Sequence, residues 1–143
     1  MILCTFQSDD ALLGSSAVRL KTYIVEDNPT IRENLIAALE ELASVDTVGT
    51  ADTENVGKAW LTNPSEQWDL AIVDLFLKQG SGLGIVSACR GRNAKQKVVV
   101  LSNYATADIR QRCAQLGVDG VFDKSNEIDD LVDYCVKLCA SND

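Results

Sequence analysis

From Leu20 to Ala140, short apolar runs alternate five times with stretches in which apolar residues recur every three or four positions. A strand covered on both faces must be apolar almost throughout, whereas a helix lying on a sheet needs only one apolar stripe. The alternation therefore predicts a parallel sheet with helices on both faces. The first strand is expected over about Leu20 to Glu26, and Asn28-Pro29 opens the next helix as a capping residue followed by proline at the first helical position. Ile31, Leu35, Ala38, Leu39 and Leu42 then form the expected buried face. Val45 to Ala51 and Thr53 to Thr62 make a second strand and helix, the latter expected to present Val56, Ala59, Trp60 and Leu61 to the sheet. The third strand reads as Asp69 to Leu77, and Gly80-Ser-Gly82 turns the chain into a helix from Leu83 to about Gly91. Lys97 to Ser102 and Thr106 to Leu116 form the fourth unit, closed by Gly117 where a left-handed helix cap is expected. Gly120 to Asp123 and Ile128 to Ala140 form the fifth.

Residues 1–17 carry neither period and contain Ser8-Asp9-Asp10 and Gly14-Ser15-Ser16, so they are expected to be a poorly ordered leader to one domain over residues 18–143. No second domain is expected within the 143 residues. The hydrophobic fraction of 46% and charged fraction of 24% are those of an ordinary globule and exclude a fibrous or disordered chain. A net charge of -8 repels phosphate backbones, which excludes nucleic acid as a partner of this chain alone. No apolar run approaches the ~20 residues of a membrane helix. Met1 to Phe6 lacks the basic flank of a signal peptide, so a cytoplasmic location is expected. The 5 cysteines form no CxxC pair, and with 0 histidines no zinc set can be completed. Cys135 and Cys139 fall in the stripe Ile128, Leu131, Val132, Cys135, Leu138, Cys139 and read as core.

In open α/β sheets, ligands bind outside the carboxyl ends of the strands, where strand order reverses. The first strand ends in Glu26-Asp27, the third in Asp74, the fourth in Ser102 and the fifth in Lys124. With a strand order of 2-1-3-4-5, these residues converge on one edge. Singly, most have a plain explanation: Asp27 or Asn28 as a helix cap, Ser102 as a turn hydroxyl, Lys124 as a solvated surface group. Asp74 is different, because it interrupts an apolar strand, and a carboxylate there is costly unless it is paired or binds a metal. As a set, three carboxylates suit magnesium, which prefers hard oxygen ligands. Lys124 and Ser102 would neutralise and hydrogen-bond the oxygens of a phosphoryl group in transit. Positioning and charge stabilisation supply most of the catalysis in such transfers.

Four motifs, Val-Glu26-Asp27-Asn-Pro, Ile-Val-Asp74-Leu, Val-Val-Leu-Ser102-Asn and Phe-Asp-Lys124-Ser, resemble in order the signature positions of the receiver domain of bacterial response regulators, over about residues 20 to 140. Gly82 also matches the glycine spacing after the acceptor. The resemblance implies a flavodoxin-like, doubly wound, five-stranded parallel sheet of order 2-1-3-4-5. It implies that Asp74 accepts a phosphoryl group from a partner phosphohistidine, on a sensor histidine kinase or a histidine phosphotransfer protein. It further implies Mg2+ held by Glu26 (partly through water), Asp27, Asp74 and the backbone carbonyl of Phe76, with Ser102 and Lys124 on the phosphoryl oxygens. Such a domain is a self-phosphorylating acceptor with weak autophosphatase activity rather than a conventional enzyme. A downstream protein, or a phosphorylation-dependent homodimer through the fourth helix, fifth strand and fifth helix, would read the change.

The resemblance is incomplete at three positions. The aromatic usual three residues before the lysine is Val121, with Phe122 one residue later; Ser125 replaces the proline that often follows the lysine; Lys78 replaces the proline often found four after the acceptor. Phe76 and Tyr104, two residues past Asp74 and Ser102, are expected to shield the acceptor from water and slow its dephosphorylation. A haloacid-dehalogenase-type hydrolase would need an aspartate where Phe76 stands. A flavodoxin-like cofactor binder would need a phosphate loop where Glu-Asp-Asn-Pro stands, and Gly80-Ser-Gly82-Leu-Gly84 follows the wrong strand for a nucleotide fingerprint. The serious alternative is a receiver-like module that binds a protein partner and is never phosphorylated.

Overall fold

A computed structural model describes residues 19–141, so the leader expected at residues 1–17 lies outside the described residues. Strands β1 (Leu20–Val25), β2 (Val45–Ala51), β3 (Leu70–Val73), β4 (Lys97–Ser102) and β5 (Gly120–Asp123) alternate with helices α1 (Pro29–Leu42), α2 (Glu54–Leu61), α3 (Gly82–Ala88), α4 (Ala107–Gln115) and α5 (Ile128–Ser141). The strands form one parallel sheet in the order β2-β1-β3-β4-β5. The alternation predicts the parallel sheet, the family resemblance implies its flavodoxin-like order, and that order reverses between β1 and β3.

The period of two along the central strands splits the core into two layers. Leu20 and Ile24, Leu70 and Ile72, and Val99 and Leu101 face one side with Leu35 and Leu39 of α1 and Leu131, Val132 and Cys135 of α5. Tyr23 and Val25, Ala71 and Val73, and Val98 and Val100 face the other with Leu61 of α2, Ile85 and Val86 of α3 and Cys113 of α4. Fully burying each such aliphatic side chain contributes roughly 1.5–3 kcal/mol, so the two layers supply the principal drive to fold. Cys135 and Cys139 are both buried, as the stripe predicts.

Three expectations are corrected. In α2 the inward face is Gly57 and Leu61, with Trp60 stacked on Tyr23 at 4.2 Å, while Val56 is 51% exposed and Ala59 also faces solvent. The reason is close approach: a Cβ on Gly57 would lie 2.9 Å from Ile85 Cδ1, so the glycine lets the helix settle against α3 and β1. In α1, Leu35 and Leu39 are buried but Ile31 and Leu42, at its two ends, are exposed. Ile31 lies past the sheet edge, in a groove of about 300 Å³ with Leu35, Ala38, Leu101 and Ile128. Finally, β3 stops at Val73 rather than continuing to Leu77, since its pairing with β1 and β4 ends there and the Asp74 carboxylate bonds the Phe76 amide and turns the chain.

Helix starts follow the sequence closely. Asn28 accepts from the Ile31 amide with Pro29 behind it, and Thr53, Ser81 and Thr106 cap α2, α3 and α4 in the same way. Gly117 takes φ +83 after α4, as a left-handed cap requires.

Candidate functional site

The functional side chains follow the strands at the carboxyl edge, where the apolar runs end: Glu26 and Asp27 after β1, Asp74 after β3 and Ser102 closing β4. The Asp74 amide donates to the Val25 carbonyl at 3.0 Å, which ties the end of β3 to the end of β1 and places Asp74 beside Glu26 and Asp27. One carboxylate oxygen from each of Glu26, Asp27 and Asp74 lies within 4.8 Å of the other two. Glu26 and Asp74 are buried, at 2% and 6% exposure, and Asp27 is half-buried at the rim. Buried like charges of this kind persist only with compensation.

The compensation comes from Lys124. Its Nζ lies 2.6 Å from Glu26 Oε1 and 2.8 Å from Asp74 Oδ2, and its side chain is only 9% exposed. Burial alone would lower the lysine's pKa, but its hydrogen bonds to Asp74 and Glu26 and their charges outweigh that, and the group titrates above its usual value. Lys124 is carried there by the β4–β5 pairing, with Ser102 opposite Asp123 and the Lys124 amide donating to the Ser102 carbonyl at 2.9 Å. Ser102 is fully buried and its Oγ accepts from the Tyr104 amide.

Backbone donors complete the setting. The Asn28 amide donates to Glu26 Oε2 at 3.1 Å, the Phe76 amide to Asp74 Oδ1 at 3.1 Å, and the Lys78 amide to Asp27 Oδ2 at 2.6 Å. Arg32 also donates to the Glu26 carbonyl at 2.8 Å. The structure thus brings Glu26, Asp27, Asp74 and Lys124 together, with Ser102 at the end of the adjoining strand and Phe76 in the turn after Asp74. The amides of Asn28 and Lys78 escaped the sequence reading, because a backbone donor leaves no residue-type signal.

Phe76 and Tyr104 meet edge to face, with ring centroids 5.2 Å apart, although both rings are largely solvent-exposed. Their contact links the turn after Asp74 to the loop after Ser102. Val121 and Phe122 point to opposite faces, as neighbours in a strand must. Val121 packs on the α2–α3–α4 side, and Phe122 packs on the α1–α5 side against Tyr134 at 5.8 Å. Phe122 therefore does not stand in for an aromatic at position 121.

Fold and site together define a doubly wound α/β domain with an acidic pocket closed by a lysine. The response regulator receiver domain family matches residues 22–135, and the chain belongs to that family. It is 27% identical over 128 residues to the acid tolerance regulatory protein ActR of Rhizobium meliloti, covering 90% of this chain and 62% of that protein. It is 30% identical over 112 residues to a putative transcriptional regulator of Pseudomonas aeruginosa, covering 78% of this chain and 53% of that protein. The chain thus spans little more than half to three fifths of the length of these relatives. Among solved structures, the receiver domain of the Francisella response regulator 1452 superposes with a TM-score of 0.72 at 20% identity, over 87% of this chain and all of that one. The receiver domain of the putative response regulator NarL from Mycobacterium tuberculosis gives 0.71 at 24% identity, over 85% and 97%. Among the described residues, no helix is long and apolar enough to cross a membrane.

Proposed function

We propose that the chain is a phosphoryl acceptor, with Asp74 as the acceptor and Mg2+ as the cofactor. The observation that carries this reading is that a nearly enclosed lysine bridges two buried carboxylates from separate strands, beside a third. A module evolved only to bind a partner gains nothing from such a costly cluster. The donor set fits the ion, since it offers three hard carboxylate oxygens, one from each residue, within 4.8 Å of one another. Glu26, Asp27, Asp74 and the Phe76 carbonyl would hold it, and when bound it supplies the positive charge that lets an anionic phosphoryl group approach.

In the transfer, a carboxylate oxygen of Asp74 forms the new bond to phosphorus as the bond to the donor breaks, and the leaving group departs with the electron pair. Lys124 and Ser102 hold the oxygens of the transferred group. The donor is a phosphohistidine on a histidine kinase or phosphotransfer protein, or a small acyl phosphate; with 0 histidines, this chain does not supply the phosphohistidine itself. The expected setting is cytoplasmic.

Incubation with a small acyl phosphate and Mg2+ should add one phosphoryl group, seen as a mass increase in the intact protein, and chelation of the metal or Asp74→Asn should prevent it. A wild-type protein that stays unmodified with acyl phosphate and with a phosphohistidine donor would instead support the module that binds without reacting.

The aromatic pair leads to a second expectation. Rings of Phe76 and Tyr104 in contact beside the acceptor obstruct a water approaching it, so the phosphorylated form should be long-lived. Phe76→Asn combined with Tyr104→Ala should speed spontaneous dephosphorylation by about tenfold, equivalent to roughly 1.4 kcal/mol of barrier. An unchanged lifetime in the double variant would refute the shielding.

A further inference from the structure

Glu54, the first residue of α2, makes contacts that its place on a helix does not explain. An acidic residue in the first turn is favoured by the helix dipole, and its ion pair with Lys58 at 3.1 Å is an ordinary i,i+4 surface contact that salt and solvent screen. Neither requires the carboxylate to leave its own helix. Yet Glu54 Oε1 accepts from the Ser81 amide at 2.8 Å, and the Glu54 amide donates to the Gln79 carbonyl at 3.1 Å. The segment is also shaped around that carboxylate. A Cβ on Gly80 would lie 2.8 Å from Glu54 Oε1, and a Cβ on Gly84 would lie 2.6 Å from Glu54 Cδ. Gly80 holds φ +88, so both its conformation and its missing side chain serve this contact.

The segment held by Glu54 is the one that reaches the acidic pocket. Phe76 and Ser81 form an isolated antiparallel bridge, which makes residues 76–81 a small hairpin. At the pocket end, the Phe76 amide binds Asp74 and the Lys78 amide binds Asp27. At the far end, Glu54 holds Gln79 and Ser81. The hairpin is therefore suspended between the Asp27 and Asp74 carboxylates at one end and Glu54 at the other. The donor that orients Asp27 lies only three residues from the amide that Glu54 captures.

We infer that Glu54 is a positioning residue for the cation pocket, holding the hairpin of residues 76–81 so that it presents the Lys78 amide to Asp27 and the Phe76 backbone to the ion. The inference rests on the phosphoryl-acceptor reading for its ion, but not for its mechanical claim. The Ser81 amide first and Lys58 second hold the Glu54 carboxyl below its usual range, so it remains an ionised acceptor at neutral pH.

The test compares Glu54→Ala, Glu54→Gln and Lys58→Ala by calorimetric titration with Mg2+ and by amide hydrogen exchange at Ser81 and Lys78. Partners that orient metal ligands typically change affinity by about 10-fold or more when removed. Glu54→Ala should weaken Mg2+ binding by about that factor and speed exchange at both amides. Glu54→Gln, which keeps the acceptor oxygen, should restore both, and Lys58→Ala should leave both near wild type. Unchanged affinity and unchanged Lys78 exchange in Glu54→Ala would overturn the inference, as would equal losses in the glutamine variant. A wild-type protein that binds no Mg2+, but whose Lys78 exchange still rises in Glu54→Ala, would keep the clamp and remove the cation reading.

Discussion

Lys124→Met should lose phosphoryl acceptance while binding Mg2+ more tightly than the wild type, and without the metal it should be less stable by about 3 kcal/mol. The two halves of this result share one cause. In the metal-free protein the ammonium is the counter-charge that Glu26 and Asp74 have in common, at 2.6 and 2.8 Å. Removing it leaves two buried carboxylates facing each other with only backbone donors to relieve them. Those same oxygens are the ones a divalent ion would claim, so the lysine and the ion compete for the cluster. In the variant the ion meets no competitor, and at ten times its dissociation constant it should return about 1.4 kcal/mol of stability. Urea denaturation with and without Mg2+ measures both quantities. A variant as stable as the wild type, with the same response to Mg2+, would show that the pocket does not depend on this lysine. The stability gap also has a pH signature. The folded-state pKa of Lys124 is raised above its usual 10.5, so its contribution is fully present below that value and fades only as pH climbs through the higher, folded one. The gap should therefore stay level across neutral pH and close in strong alkali, where the ammonium loses its proton.

What the sequence revealed, and what it hid, follows from where the information resides. Strand β3 is buried on both faces, so its residues are apolar in an unbroken run, and Leu70-Ala-Ile-Val73 is visible at once. A polar or charged residue at the end of a strand is equally visible, which is why Asp74, Ser102 and Lys124 stand out in the sequence. Helix faces were harder. In α2 the apolar spacing favoured Val56, but the packing is set by Gly57, a residue with no side chain to register in a hydrophobic pattern. The end of β3 was misplaced because Leu75 is buried without being paired, so the apolar run outlasts the strand. The least legible feature was the contact of Glu54 with Ser81, 27 residues away. A side chain bonded to a backbone amide constrains only one of the two residue types. The glycines at positions 80 and 84 were the one trace it left, and they read as ordinary turn chemistry.

Gly82→Ala should damage both stability and acceptance of the phosphoryl group, although it adds a single methyl group to a residue that is itself uncharged. Gly82 opens α3 directly behind the acceptor, and its amide donates to the Leu75 carbonyl at 3.0 Å. Its backbone angles are open to any residue, so the constraint is space rather than conformation. A Cβ here would press into the Asp74 carbonyl oxygen, 2.7 Å from Leu75 Cα and 2.9 Å from the Asp74 carbonyl carbon. Nothing in that list is the flexible end of a side chain. Relief must come from moving the Asp74–Leu75 backbone itself, which also donates to β1 and carries the acceptor carboxylate, and overpacking of this sort costs roughly 1–3 kcal/mol or more. Because the atoms that must shift belong to the acceptor, the rate of phosphorylation should fall even under conditions where the variant remains fully folded. Gly91→Ala is the matched control, since a Cβ there meets nothing within 4 Å and its effect should stay within about 0.5 kcal/mol. If Gly82→Ala were folded and accepted the phosphoryl group at the wild-type rate, α3 would have to be free to slide away from the sheet, and the tight seat of Asp74 against that helix would not be what sets its position.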